Sequence, residues 1–236
     1  MKNIEGAFME IRRREDRGQV NIGWLKSAHT FSFGHYYDPH FMGYGALRVI
    51  NDDYIEGGMG FETHPHKDME IITFIKEGAL EHKDSMGNHS VIRPGEIQIM
   101  SAGTGVYHSE INHYKDRATT LYQIWIQTNA FGIEPSYQQK SYLDFKEENG
   151  LTLLASPNAE LNSVKIHQNA KLFLASFKGD EKSEFKTEAR PVWIQIISGE
   201  IEIENEILRA GDGVAFNQNL IQWKALEESE FLIFEL

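Results

Sequence analysis

The chain has no cysteine at any of its 236 positions. Disulfide bonds, thiol nucleophiles and thiolate metal sites are therefore excluded, so any redox chemistry requires a bound metal or another cofactor. A run of about 18 apolar residues is also missing, which predicts that no helix spans a membrane. The N-terminal stretch MKNIEGAFMEIRRRED lacks the apolar segment of a secretory signal. We therefore expect a cytoplasmic protein.

Basic residues are too few to outweigh the acidic ones. The 23 Lys and Arg face 35 Asp and Glu, which gives a net charge of −12. Such a field repels a phosphate backbone, so direct binding of nucleic acid is not expected. The glycine-containing stretch PGEIQIMSAG has neither P-loop nor GxGxxG spacing, and no helical pattern follows it. Nucleotide-binding loops of these two kinds are therefore excluded.

Short segments typical of β-strands recur along the sequence. Runs of β-branched and aromatic residues alternate with Gly, Asn, Asp and Pro, most clearly in MEIITFIKEGALEHKDSMGNHSVIRPGEIQIMSAG. Such short runs between turn residues are typical of antiparallel strands joined by tight turns. The pattern predicts an all-β fold made of small antiparallel barrels or jelly rolls.

A weak internal repeat indicates that this fold occurs twice. FIKEGALEHKD resembles IISGEIEIEN, and IRPGEIQIMSA resembles LRAGDGVAFNQ, in the same order along the chain. We therefore predict two tandem domains, residues 1–135 and 136–236, with the junction between about Asn129 and Ser163. The step from Gly95 to His108 in the first copy leads from Gly211 to Lys224 in the second. The second copy is expected to lack a metal site.

Two pairs of side chains are the strongest functional signal. His64 and His66 lie in FETHPHKDME, and His108 and Glu110 lie in AGTGVYHSE. On a β-strand the i, i+2 spacing places both members of a pair on one face. Two such strands facing a shared interior would present three imidazoles and one carboxylate. The pattern predicts a metal site.

This donor set suits a divalent transition metal better than Mg or Ca, which prefer oxygen ligands. One carboxylate on a divalent ion leaves a local charge of about +1, which favours an anionic chelating ligand such as an enolate or catecholate. Glu70 follows His66 with the parity of the same strand face, so spacing alone leaves it open as the carboxylate ligand.

The other histidines carry a weaker signal. We expect His29 and His82 to be hydrogen-bonded structural residues rather than pocket residues. The remaining ones are interpreted as ordinary polar positions: His35, His40, His89, His113 and His167.

Three stretches closely resemble the pirin family, a bicupin branch of the cupin superfamily. They are HTFSFGHYYDP, ALRVINDDYIEGGMGFETHPHKDMEIITFIKEGALEHKDSMGN and IRPGEIQIMSAGTGVYHSE, within roughly residues 10–130. The resemblance implies two tandem β-barrels with a metal only in the N-terminal one. It maps the ligands onto His64, His66, His108 and Glu110, which favours Glu110 over Glu70. The C-terminal half is similar only in strand order and position.

The resemblance also implies an activity. Some pirin-like proteins are quercetin 2,3-dioxygenases, which implies a metal-dependent enzyme that opens the heterocyclic ring of flavonols with O₂ and releases carbon monoxide. Fe(II) is the expected metal, with Mn, Ni, Cu or Zn as alternatives. Glu110 would be both a ligand and the base that removes the flavonol hydroxyl proton.

Other members of the family imply a different role, that of a non-enzymatic metal-binding regulator acting through protein partners. A sugar or keto-acid isomerase is a third hypothesis, because cupins host such chemistry. We expect a monomer.

Overall fold

Short strands account for most of the chain in the computed structural model, which describes residues 9–187 and 190–236. The strands before residue 130 are β1 (Met9–Arg12), β2 (Gly18–Asn21), β3 (Leu25–His29), β4 (Leu47–Ile55), β5 (Gly60–His66), β6 (Met69–Glu77), β7 (Leu80–Asp84), β8 (His89–Ile92), β9 (Glu96–Ser101), β10 (Val106–Asn112) and β11 (Thr119–Gln127). The later strands are β12 (Ser136–Ser141), β13 (Gly150–Ser156), β14 (Val164–Lys165), β15 (Lys171–Phe177), β16 (Lys182–Lys186), β17 (Val192–Ser198), β18 (Glu200–Ile203), β19 (Glu206–Arg209), β20 (Gly213–Phe216), β21 (Leu220–Ala225) and β22 (Ser229–Glu235).

Within residues 9–187 and 190–236, helical structure is limited to single 3₁₀ turns. They span Arg14–Asp16, Leu143–Phe145 and Glu160–Asn162. Across the two described ranges, no helix has the length and apolar character needed to cross a membrane. The prediction of an all-β protein built from antiparallel sheets is confirmed.

The first compact unit, called the N-terminal unit below, comprises residues 18–144 and 156–169. It contains a sheet in the order β12-β9-β6-β11-β4-β3-β2 and a sheet in the order β5-β10-β7-β8. β6, with the sequence MEIITFIKE, lies inside the larger sheet between β9 and β11. Its β-branched run is almost fully buried, and Ile71 and Ile72 are at most 1% exposed. This burial anchors the sheet that backs the candidate site.

The second compact unit, called the C-terminal unit below, comprises residues 9–17, 145–155, 170–187 and 190–236. It contains a sheet with the order β1-β20-β17-β22-β15-β13 and a sheet with the order β16-β21-β18-β19. Its interior is apolar and rich in aromatic rings. Trp223 packs edge-on against Phe177 and Phe231, with ring centroids 5.5 and 5.4 Å away. Large rings therefore fill this barrel.

Chain order and spatial order differ at two strands. β1 comes first in the sequence, yet it pairs with β20, with Met9 opposite Phe216. β12 begins after residue 135, yet it pairs with β9 and belongs to the N-terminal unit. Both strands add backbone hydrogen bonds to a strand that would otherwise form a sheet edge. The domain division at residue 135 stays a prediction.

The aromatic core of the C-terminal unit predicts a large loss of stability when one ring is removed. Phe231 is fully buried. We expect Phe231→Ala to lower the free energy of unfolding by about 3–5 kcal/mol, because it removes buried area and leaves a cavity. Urea unfolding followed by circular dichroism measures the change. Phe131→Ala is the matched control, since Phe131 is 73% exposed and its loss should change stability by less than about 0.5 kcal/mol. Equal effects of the two substitutions would contradict this account of the core.

Candidate metal centre

The candidate site is built on the pairing of β5 with β10. These strands run antiparallel, with His108 opposite His64 and Val106 opposite His66. β10 alternates between buried and more exposed residues, which directs His108 and Glu110 to the interior. β5 lies at the edge of its sheet, where Pro65 is tolerated because its missing N–H leaves no inner ladder bond unmade. The register therefore brings both predicted pairs to one surface.

A β-bulge separates His108 from Glu110 on this surface. The register shifts between these two residues, so that Glu110 lies opposite Phe61. Gly60 completes the close approach, since a Cβ there would lie only 2.1 Å from the Glu110 carbonyl oxygen. Bulges commonly redirect side chains beside functional sites. Here the bulge sets the position of Glu110 relative to the histidines.

The three predicted histidines form one tight group. Their ligand-type nitrogen atoms all lie within 4.8 Å of one another. The ring centroids of His64 and His108 are 4.4 Å apart, and His66 lies 4.8 Å from each of them. Trp125 packs edge-on against His66 at 4.8 Å. The structure thus brings together the three imidazoles that the spacing predicts on one face.

The protonation of His64 follows from its backbone contact. Its Nδ1 lies 2.7 Å from the carbonyl oxygen of Glu62, which can only accept a hydrogen bond. The proton therefore resides on Nδ1, and the lone pair is on Nε2. That Nε2 lies 3.0 Å from Nε2 of His108. Two nitrogens bound to one metal at about 2.1 Å and at right angles are separated by roughly this distance.

Glu110 occupies a second, overlapping group with His108 and His82, whose ligand atoms also lie within 4.8 Å of one another. Its side chain is buried, and both of its oxygens accept hydrogen bonds from Nε2 of Gln123, at 2.9 and 3.0 Å. Among the described residues, no Lys or Arg forms an ion pair with Glu110. A buried carboxylate held only by a neutral amide is costly unless a cation lies nearby.

His66 and His108 are held in the neutral form that binds metals. Burial, and next the proximity of His64 and His82, lowers the pKa of His108 to about 3. Burial, followed by the proximity of His108 and His64, lowers the pKa of His66 to about 4. Neutral imidazoles and a buried carboxylate form a donor set that fits a divalent transition metal. The residues present therefore match the ion that the sequence pattern predicts.

A small cavity opens in front of these side chains. Its volume is about 70 Å³. Four apolar residues line it together with the polar groups: Phe33, Phe61, Ile71 and Trp125. Phe33 packs edge-on against Trp125, with ring centroids 5.2 Å apart. Pockets that bind drug-sized ligands are usually about 300–1,000 Å³, so this cavity has room only for a small group or part of a larger ligand.

Sequence reasoning missed three polar residues of the cavity wall, which are Asn51, Asp53 and Gln123. Asp53 is 3% exposed, and its Oδ1 has no hydrogen-bond partner among the residues that the structure describes. Burial raises the pKa of Asp53 to about 7. The Ser27 side chain acts against this rise, whereas the charges of Asp52 and Glu110 add to it. Asn51 and Asp53 have the i, i+2 spacing of the histidine pair, which is the signal that could have identified them.

Glu70 belongs to a different network. Its Oε2 accepts hydrogen bonds from the Ser101 hydroxyl at 2.8 Å and from the backbone N–H of His167 at 3.2 Å. Equal parity left open that Glu70 shares a strand face with His64 and His66, but the chain turns at Asp68, where φ is 48°. Glu70 lies on β6, and it is outside both groups of ligand-type atoms in the described ranges.

The remaining histidines fall into two classes. His29 and His82 are buried; His29 packs edge-on against Phe33, and Nε2 of His82 lies 3.0 Å from Asp84 Oδ2. The others are at most partly buried and have polar neighbours where these are described, as with His89 and His113 beside Glu81.

In the C-terminal unit, Lys224 pairs with Asp180 at 2.7 Å, beside the buried ring of Trp223.

The two antiparallel barrel-type units and the histidine cluster inside one of them define a bicupin protein. Family models support this class directly: one described as "Pirin" matches residues 10–126, and one described as "Quercetinase C-terminal cupin domain" matches residues 153–236. Together with the relatives described next, these matches show that the chain belongs to the pirin family.

Three relatives illustrate the similarity. A quercetin 2,3-dioxygenase of Escherichia coli (strain K12) is 48% identical, and the match covers 96% of this chain and 97% of the relative. A pirin-like protein of Caulobacter vibrioides is 36% identical, over 92% of this chain and 95% of its own. A crystal structure of the bacterial pirin YhhW from Escherichia coli in complex with nickel(II) has a TM-score of 0.92 and 46% identity, covering 97% of this chain and 99% of the other.

The buried carboxyl of Asp53 predicts a specific dependence of stability on pH in the metal-free protein. Its pKa of about 7 lies above the ordinary 3.8, so its stabilising contribution is complete below pH 4 and is lost as the pH rises through 7. Asp53→Asn keeps the neutral shape and should gain stability over wild type at pH 8, on the order of 4 kcal/mol, with little gain at pH 4.

Urea unfolding at several pH values in the presence of a chelator tests this expectation. The lowered pKa values of His66 and His108 act in the opposite direction, since stability is lost as the pH falls below about 6.5. They act equally in both proteins and therefore cancel in the difference. If the difference in unfolding free energy between Asp53→Asn and wild type did not change with pH, it would contradict the raised pKa of Asp53.

Proposed function

We propose that this protein is a metal-dependent dioxygenase that opens the heterocyclic ring of flavonols such as quercetin with O₂. The observation that carries the proposal is the group of three imidazoles, partly buried in His64 and His66 and fully buried in His108, beside the buried Glu110 carboxylate. Glu110 has no basic partner among the described residues. In this proposal His64, His66, His108 and Glu110 hold the metal. The similarity to a quercetin 2,3-dioxygenase supports the same reading.

The identity of the metal is part of the proposal. Fe(II) is our first choice, and the nickel(II) complex of the related bacterial pirin supports the wider class of divalent transition metals. When bound, the ion would supply Lewis acidity towards the flavonol oxygens and access to O₂ chemistry. The donor set carries one negative charge, which leaves the site positive enough to favour the deprotonated 3-hydroxyl group.

The side chains of the chain itself contribute proton handling and orientation. Glu110 is the nearest base for the flavonol hydroxyl proton, and the Gln123 amide holds both of its oxygens in place. Asp53 also lines the cavity, and its buried carboxyl can donate a hydrogen bond to a substrate oxygen when it is protonated. Phe33 and Trp125 line the cavity with aromatic rings, which would contact a planar ligand and exclude water.

A flavonol cannot enter the cavity of about 70 Å³ unless part of the wall moves. Phe33 is the wall residue best suited to do so, because it lies between β3 and β4, outside the strand ladders. Its backbone forms only an isolated bridge with Tyr36. Displacement of this segment would widen the cavity without breaking β4 or β5.

The narrow cavity favours a second candidate function, a non-enzymatic metal-binding regulator that acts through a protein partner. In that role the ion would stabilise or signal a state of the N-terminal unit, and no bulky ligand would need to enter. The similarity to a pirin-like protein is compatible with this candidate.

Replacement of a proposed ligand tests the metal site on which both candidates rest. We expect His108→Ala or His64→Ala to weaken metal binding by more than about 100-fold. Loss of a ligand should cost more than loss of a residue that only supports a ligand, which typically weakens metal affinity about 10–100-fold. The fold should persist, because apolar burial provides most of its stability. Metal analysis with circular dichroism measures both effects. His113→Ala is the matched control, since His113 is partly exposed next to Glu81. Full metal content in a ligand variant would remove that residue from the set.

Oxygen uptake separates the two candidate functions. Protein reconstituted with Fe(II), and separately with Ni(II), is mixed with quercetin in an oxygen electrode while carbon monoxide is collected. The enzyme proposal predicts metal-dependent uptake of one O₂ for each carbon monoxide released. Protein that binds metal fully but consumes no O₂ with either ion would contradict the enzyme and favour the regulator.

A further inference from the structure

A buried pair of residues behind His108 takes no part in the proposed ligand set. His82 and Asp84 lie on β7, and their side chains are 1% and 0% exposed, with Nε2 of His82 3.0 Å from Oδ2 of Asp84. Asp84 is held firmly in this position. Its Oδ1 accepts the backbone N–H groups of Met86 and Asn88, and its Oδ2 accepts the Asn88 side-chain amide.

This contact determines which nitrogen of His82 carries the proton. The Asp84 carboxylate already accepts several hydrogen bonds, so Nε2 of His82 is the donor and Nδ1 carries the lone pair. That Nδ1 is buried without a hydrogen-bond partner among the described residues, and Nδ1 of His108 is in the same condition. One buried acceptor and one buried potential donor thus lie on neighbouring rings.

The two rings are close enough to complement each other. The centroids of His82 and His108 are 5.3 Å apart, with planes inclined at 57°. The strand register explains this proximity, because Asp84 lies opposite His108 and His82 lies opposite Glu110 on the paired strands β7 and β10. The ring of Tyr137 covers His82 at 4.8 Å, which keeps water away.

We propose that His82 is a positioning residue for the metal ligand His108. The structure does not itself form a hydrogen bond between the two Nδ1 atoms. A small rotation of either ring would let Nδ1 of His82 accept a hydrogen bond from Nδ1–H of His108, while Asp84 anchors the far side of His82. The lone pair of His108 is then fixed on Nε2, the nitrogen that lies 3.0 Å from Nε2 of His64. His64 is held in the same sense by the Glu62 carbonyl.

The difference between the two supports has a chemical consequence. A histidine backed by an imidazole and a carboxylate is a more basic ligand than one backed by a neutral carbonyl. His108 is therefore the stronger electron donor of the two. This inference rests on the proposed role of His108 as a ligand, and its test uses metal binding rather than turnover.

The experiment compares variants by Co(II) affinity, through competition with a chelator, and by the visible spectrum of the bound Co(II). His82→Phe keeps a ring against Tyr137 but removes both nitrogens, and His82→Asn returns an oxygen acceptor near the position of Nδ1. His89→Phe is the matched control. His89 also contacts a carboxylate, since its Nε2 lies 2.8 Å from Glu81, but it lies on the adjacent strand β8 and its side chain is 59% exposed. Circular dichroism of each variant establishes that it folds.

We expect His82→Phe to weaken Co(II) binding roughly 10–100-fold and to shift its spectrum. We expect His82→Asn to recover part of both, and His89→Phe to match wild type. Wild-type affinity and spectrum in His82→Phe would overturn the proposal. Loss as complete as in His108→Ala, in both His82 variants, would also overturn it and make His82 a direct ligand with His108 and Glu110. Unchanged binding in His108→Ala would show instead that the proposed metal site is wrong.

Discussion

The register between β5 and β10 is the constraint on which the candidate site depends. The side-chain period of a strand is two residues, so a slip of one residue would turn His64 and His66 away from the interior. The pairing of His108 with His64 fixes this register, and the bulge before Glu110 then sets the carboxylate. Gly60 permits the close approach of the two backbones, because any Cβ there would collide with the Glu110 carbonyl oxygen.

The polar interior of the N-terminal unit is destabilising when it holds no cation. Burial disfavours all of the polar groups here: the imidazoles with lowered pKa values, the Glu110 carboxylate and the Asp53 oxygen that has no partner among the described residues. A divalent ion would offset several of these penalties together. The apolar strands behind the site, such as β6, supply the stability that keeps the groups in place. The interior of the C-terminal unit is instead filled by aromatic rings, which carry no such penalty.

Local periodicity in the sequence was sufficient to predict the all-β fold and to predict that His64 and His66 share one strand face, because the period of two is a property of a single strand. The meeting of that pair with His108 depends on the pairing of β5 with β10. Local periodicity left Glu70 open as an alternative ligand, and the structure places Glu70 on another strand, because the chain turns at Asp68 with a positive φ. Asp53 was not predicted as a site residue, although Asn51 and Asp53 have the same i, i+2 spacing as His64 and His66. The pairing of β1 with β20 and of β12 with β9 joins distant segments, which no local pattern encodes.

The central claim is that His64, His66, His108 and Glu110 hold one divalent ion, and anomalous diffraction from crystals of the metal-loaded protein tests it most directly. The account predicts a single anomalous peak at bonding distance from Nε2 of His64 and His108, a ring nitrogen of His66 and the Glu110 carboxylate. A peak centred on His82, His108 and Glu110 without His64 and His66, or no peak in this unit of a protein shown to contain metal, would contradict it.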